Sequence, residues 1–229
     1  MTNISNLQNE IIACRKCPRL VAWREKIARE KVSRFAHETY WGRPVPSFGD
    51  PNARFLIVGL APAAHGGNRT GRIFTGDRSG DLLYEMLYKF NFASQPHSVS
   101  RDDGLVLRDC YITAALHCAP PQNKPTAEEQ SNCFPYLQRE LHLLLQVRVI
   151  LALGKIAFDT ILNACKQAGR AEFSTRPRFA HGLEMRLNHR LTLLASYHPS
   201  QQNTFTGKLT PRMFEAVFKQ VRELLESVD

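Results

Sequence analysis

No run of apolar residues in this chain approaches the roughly 20 that a membrane-spanning helix requires, so no helical span is expected. The opening stretch MTNISNLQNE is polar and lacks the apolar core of a secretory signal. No internal repeat or low-complexity tract is visible. Acidic residues are in deficit: 21 Asp and Glu stand against 30 Lys and Arg, for a net charge of +9. That balance favours a polyanionic partner, nucleic acid before an anionic membrane surface. The expected location is the cytoplasm, which in a bacterium includes the nucleoid. There a disulfide framework is not the expectation for six cysteines, and metal ligation or buried thiols are.

What is present suits one folded unit. The 229 residues, 43% apolar and 22% charged, are enough for one sizeable core. Near-helical apolar spacing over 4–30, interrupted by Pro18, predicts a helix, a turn over 14–18 and a second helix. Residues 40–51 carry Pro44, Pro46, Gly49 and Pro51 and read as a connector. Buried-strand runs follow at 54–60, 109–118, 147–153 and 191–196, alternating with helices over 81–90, 126–146, 155–168 and 211–228. Thr126 with Glu129 three residues on forms a capping box for the second of these. The alternation predicts an α/β fold: a single three-layer α/β/α domain over 1–229, around a mainly parallel sheet of about four strands. The helical segment 1–50 is expected to pack on a core of 51–229. In such sheets, sites gather at the carboxyl ends of the strands. Three loops rich in Gly, Pro, Asn and His fall there: 60–80, 118–126 and 197–210.

Cys14 and Cys17 form a C-x2-C knuckle able to present two thiolates to one metal centre. Cys118 ends the second strand and Cys133 lies in the next helix, two partners that are otherwise small core residues. The long gap between the pairs is not a zinc-finger spacing. Arg15 and Lys16 are placed to offset the charge of a tetrathiolate site, and Cys110 and Cys165 read as core.

The glycine-rich segment GLAPAAHGGNRTGRIFTGDRSG, 59–80, matches neither G-x-G-x-x-G nor the Walker phosphate loop. Its small residues let backbone N–H groups approach an anionic ligand, with Arg69, Arg72 and Arg78 alongside. A second segment, HPSQQNTFTGKLT, opens at His198, and CAPPQNKP at 118–125 lies between them. These segments in this order, behind the C-x2-C knuckle, resemble the uracil-DNA glycosylase superfamily, above all its four-cysteine family 5, which is related to family 4. The resemblance covers nearly the whole chain. It implies a doubly wound α/β fold, a 4Fe–4S cluster on Cys14, Cys17, Cys118 and Cys133, and excision of a base from DNA.

The sequence departs from other families of that superfamily in two places. Leu60 and Ala61 stand where many carry a catalytic carboxylate or Asn, and Ala114 where a uracil-reading Asn is common. The implied pocket is looser and admits other deaminated bases, hypoxanthine among them. Cleavage of an N-glycosidic bond builds positive charge on the sugar and negative charge on the base, and it needs an oriented water and a flipped-out nucleotide. Asp77 is assigned to the sugar side, with helix capping as its alternative role. Phe74 is assigned to stacking on the base, His198 to donation toward the base carbonyl, and Asn123 to water or base. Backbone N–H groups from Leu60 and Ala61 to Gly66 are expected to hold the pyrimidine carbonyls, supported by His65 and Asn68. Phe205 is assigned as a wedge in the base stack, with Ser200, Thr204, Thr206 and Lys208 on phosphates. The expected partner is DNA, single or double stranded, bound by a monomer. The competing readings are a metal-stabilised nucleic-acid-binding protein without catalysis and a zinc-stabilised hydrolase or nucleotide enzyme on the same sheet.

Overall fold

The computed structural model describes residues 3–227 apart from 172 and 174. Helices α1 (Ile4–Ala13) and α2 (Pro18–Glu30) flank the cysteine turn. Pro18 opens α2 at its first position, where its missing N–H costs nothing. Strands β2 (Phe55–Gly59), β3 (Cys110–Ala114), β4 (Val149–Leu153) and β6 (Thr192–Ser196) are the four expected from the sequence, each fully buried. They pair in parallel in the order β3-β2-β4-β6.

Two short antiparallel edges extend the sheet to six strands: β1 (Phe48–Gly49) against β3 and β5 (Glu184–Arg186) against β6. At two and three residues they are too short to show a period, and β1 sits inside the proline-rich connector. A Cβ on Gly49 would run into the Cys110 carbonyl, so this edge closes only on glycine.

Alternate residues of each strand serve opposite layers. Phe55, Ile57, Leu151 and Leu194 join a core with α4 (Arg78–Lys89) and α8 (Pro211–Glu226), where Phe214 and Phe218 are fully buried. Leu56, Val58, Ile150 and Ala152 face α5 (Ala127–Leu143) and α6 (Lys155–Gln167). The capping box at Thr126 forms as read: its hydroxyl accepts from Glu129 N at 3.2 Å, and its N–H donates to Glu129 at 2.8 Å. The helix expected to reach 228 is described to Glu226, and Val228 lies outside the described residues.

The N-terminal segment is tied into this frame. α1 packs against α5 through Leu7, Ile11 and Tyr136, and β1 joins the sheet edge. Beneath it Glu140, fully buried on α5, accepts from Thr113 Oγ1 at 2.6 Å and from Ser47. The chain leaves β2 toward β3 on one side and later enters β4 on the other. The crevice at the carboxyl ends of β2 and β4 is therefore a topological switch point.

Candidate active site and cysteine centre

β2 ends at Gly59, and a Cβ there would stand 2.8 Å from the Phe74 ring. Phe74 has φ of +53°, an uncommon left-handed backbone for an aromatic residue, and its ring caps the strand end at 6% exposure. His198, two residues beyond β6, stacks on that ring with centroids 5.8 Å apart and planes at 29°. Burial pulls His198 down to about 4, so its imidazole is neutral at pH 7.

Asp77 is the N-cap of α4, its Oδ1 accepting from Gly80 N at 3.0 Å. The same carboxylate lies over Gly66, where any Cβ would collide with Oδ2. Burial pushes its pKa above the usual aspartate range, against the pull of the Gly80 and Ser79 N–H groups. Capping and a place in the cleft therefore coexist: the cap fixes the carboxylate there. Leu60, Ala61, Phe74, Asp77, Asn123 and His198 line one cleft of about 380 Å³, with Ser200 at its edge. Gln122 and Asn123, at φ of +53° and +57°, project from a short 3-10 turn at its mouth.

Three expected substrate contacts are placed elsewhere. His65 turns away, its Nδ1 3.0 Å from the Tyr40 hydroxyl. Asn68 is 1% exposed and donates to the carbonyls of Arg24 and Ala64 at 3.3 and 3.4 Å. Gly66 serves as the floor under Asp77 rather than as cleft lining. The cause is the short helix α3 (Gly67–Thr70), which reverses the loop and carries these residues behind the cleft wall.

The flanking arginines are also claimed by the fold. Arg72, at 4% exposure, binds Asp103 at 2.6 Å and Ser98 at 2.7 Å. Arg69 pairs with Glu38 and donates to Gly76 O at 3.1 Å. Arg78 remains on the surface, 5.1 Å from the Phe205 ring.

The second motif holds an unexpected short helix, α7 (Gln201–Phe205), capped by Ser200. The hydroxyls of Thr204 and Thr206 donate to the carbonyls of Ser200, at 3.3 Å, and Gln202, at 2.8 Å. Phe205 is 67% exposed at the end of α7, and Lys208 lies 4.9 Å over the Tyr197 ring.

Cys14, Cys17, Cys118 and Cys133 line a single cavity, while Cys110 and Cys165 are fully buried core. Among the described residues no three Cys, His, Asp or Glu side chains converge to hold a single metal ion. Burial raises Cys118 to about 11, against the pull of Arg24 and with a smaller push from the neighbouring thiols Cys14 and Cys17. The expected counter-charge is met in part: Lys16 lines the cysteine cavity and sits 5.4 Å over the Tyr136 ring, whereas Arg15 turns out to Glu25 at 2.6 Å. The buried cation is Arg24, at 2% exposure. It donates from Nη1 to Cys118 Sγ at 2.9 Å and from Nη2 to the Cys14 carbonyl at 3.4 Å. Its position was legible: Arg24 lies seven residues, two helical turns, after Cys17, on the stripe of Leu20 and Val21.

The family model of the uracil DNA glycosylase superfamily matches residues 46–222. A type-5 uracil-DNA glycosylase of Thermus thermophilus is 50% identical over 93% of this chain and 94% of its own length. A type-5 protein of Mycobacterium tuberculosis is 48% identical over 97% of this chain and 82% of its own. A type-4 protein of Archaeoglobus fulgidus is 30% identical over 98% and 94%. With its sheet order, its cleft and these matches, the chain belongs to the uracil-DNA glycosylase superfamily, with its type-5 members among its relatives.

Proposed function

We propose that this chain is a monofunctional uracil-DNA glycosylase that hydrolyses the N-glycosidic bond of uracil, and of other deaminated bases, in single- or double-stranded DNA. The observation that carries this reading is the one cleft to which three separate loops bring Asp77, Asn123 and His198 beside Phe74. The nucleotide flips into it, and the bond between base nitrogen and sugar C1′ breaks with its electron pair going to the base. The Asp77 carboxylate offsets positive charge on the sugar and orients the water whose oxygen bonds to C1′. Neutral His198 donates toward the base carbonyl as negative charge develops there, and Phe74 provides an apolar wall. With apolar Leu60 and Ala61 at the strand end, no side-chain amide reads the pyrimidine edge there, which suits a broader range of lesions.

The four cavity thiols suit a 4Fe–4S cluster. Each sulfur binds its own iron, so they need not converge on one ion as a zinc site demands. Arg24 Nε is buried with no partner among the described residues, a donor that an anionic sulfur cluster would satisfy. When bound, the cluster supplies a cross-link between the α1–α2 turn, the 118–126 loop and α5, within a monomeric single-domain protein that acts in the cytoplasm on nucleoid DNA. Incubation with a labelled uracil-containing duplex, followed by alkali, tests the activity. Cleavage at uracil by the parent and its loss in Asp77→Asn support the reading. Binding without turnover leaves the non-catalytic alternative. Iron with acid-labile sulfide, rather than zinc, identifies the centre.

A further inference from the structure

An unbroken series of contacts joins the cysteine cavity to Asp77. Arg24 Nη1 holds Cys118 Sγ at 2.9 Å. The main-chain carbonyl of the same Arg24 accepts from Asn68 Nδ2 at 3.3 Å. Asn68 lies on α3, whose backbone is pinned to the connector: Gly42 N donates to Asn68 O at 3.0 Å, and Trp41 N to Arg69 O at 2.8 Å. From α3 two contacts reach the catalytic carboxylate. Gly66, its N-cap, is the floor on which Asp77 rests. Arg69 Nη2 donates at 3.1 Å to the carbonyl of Gly76, the residue before Asp77.

Asn68 is a costly residue for a merely structural post. It is 1% exposed, and its Oδ1 is buried with no partner among the described residues. We infer that Asn68 is a positioning residue: through Arg24 it couples the four-cysteine centre to the loop that aims Asp77, so the state of that centre sets the catalytic step. This rests on the glycosylase and cluster readings above. The coupling runs through hydrogen bonds between two elements, α2 and α3, that have few other ties, and it needs no redox chemistry. A displacement of Asp77 by about 1 Å would be enough to lower turnover by as much as a hundredfold.

The test uses purified, iron-loaded full-length protein and single-turnover excision from a uracil duplex. Asn68→Ala is expected to keep the parent's iron and sulfide content and visible absorbance, and its affinity for an abasic-site duplex. The excision rate falls roughly tenfold or more, and the acid limb of its pH profile moves as the surroundings of Asp77 change. Arg24→Lys is expected to lose iron to a chelator faster than the parent and to excise more slowly while still loaded. If the two act through one link, the double variant is no slower than the slower single variant. An Asn68→Ala protein with the parent's rate and pH profile overturns the inference, as do strictly additive losses. Should Asn68→Ala unfold, Asn68→Ser, which keeps a donor, must show a rate between parent and failure or the inference falls. Parent protein that lacks iron or excises no uracil overturns the underlying readings instead, so the two kinds of failure are distinct.

Discussion

The two motif loops, 60–80 and 197–210, border one cleft but use their polar groups in opposite ways. In the first, Arg72, Thr75 and Asn68 are at most 4% exposed and bonded inward, Thr75 Oγ1 taking Arg72 Nε at 3.1 Å. In the second, Gln201, Gln202, Phe205, Thr206 and Lys208 are exposed. The first loop is a rigid platform that aims Asp77 and Phe74. The second presents its side chains to solvent, where the proposed function places DNA. Substitutions in the first should therefore cost turnover or stability, and in the second engagement of DNA.

The largest effect breaks the platform's charge while sparing its shape. Asp77→Asn retains a side-chain oxygen to cap α4, so the fold stands. The excision rate is expected to fall about a thousandfold, on the order of 4 kcal/mol. In the proposed mechanism the working form of Asp77 is the anion, and burial has raised its pKa. In the parent the rate should fall as pH drops through a value above the ordinary aspartate range, a limb that the variant lacks. His198, held near 4 and neutral above it, adds no step around pH 6.5. A single-turnover pH profile of both proteins checks this, and an unchanged acid limb in Asp77→Asn removes Asp77 from the mechanism.

The next effect separates stability from chemistry within the same loop. Arg72→Met leaves Asp103 buried without its cation and should cost about 3 kcal/mol of folding stability. Burial alone would push Asp103 up. Arg72 and the N–H groups of Leu105, Val99 and Ser100 instead hold it near 2. A depressed carboxylate contributes stability above its unfolded pKa and loses it as pH falls through the folded one. Urea denaturation should therefore show the deficit of Arg72→Met shrinking from about pH 4 toward pH 2. A deficit constant over that range would mean that packing, not the ion pair, is what Arg72 provides.

The same contrast explains what the sequence could reveal. The four parallel strands were legible because each is a buried apolar run between turn residues, and the Thr126 cap because its partner lies three residues away. β1 and β5 were not, since two or three residues carry no period. Gln201–Phe205 has no apolar stripe, so α7 read as loop. At the site, residues next to strand ends fell where the topology puts them, as Leu60, Ala61 and His198 show. His65 and Asn68 share the glycine-rich loop but are turned behind it by α3, a reversal set by contacts to Tyr40 and Arg24 that are distant in sequence. Arg24 was overlooked because a charge on a helix usually faces water, and here its buried guanidinium is met by Cys118 Sγ and the Cys14 carbonyl.

Smaller effects belong to the exposed loop. Phe205 rests beside Arg78 of the platform, so one aromatic bridges the two loops at the cleft's edge. As a wedge it should matter only where a stack must be held open. Phe205→Ala is expected to slow excision about tenfold on duplex substrate and far less on a single strand. Equal rates on both for variant and parent would reduce it to an exposed aromatic with no part in flipping.

Lys208 should give the smallest change, and one visible only against salt. Its ammonium lies over the Tyr197 ring, beside the strand end that leads to His198, in a segment whose Thr204 and Thr206 hydroxyls are bonded within α7. A lysine that neutralises one phosphate releases one condensed counterion. Lys208→Ala should then flatten the slope of log affinity against log salt by about 0.9 on duplex DNA, leaving the rate at saturating substrate unchanged. An unchanged slope with weaker binding would mean instead that Lys208 acts by steadying Tyr197 and the strand end. In that case the variant should also lower the excision rate, as a platform residue does, and the boundary between the two loops would have to be drawn after Lys208 rather than before α7.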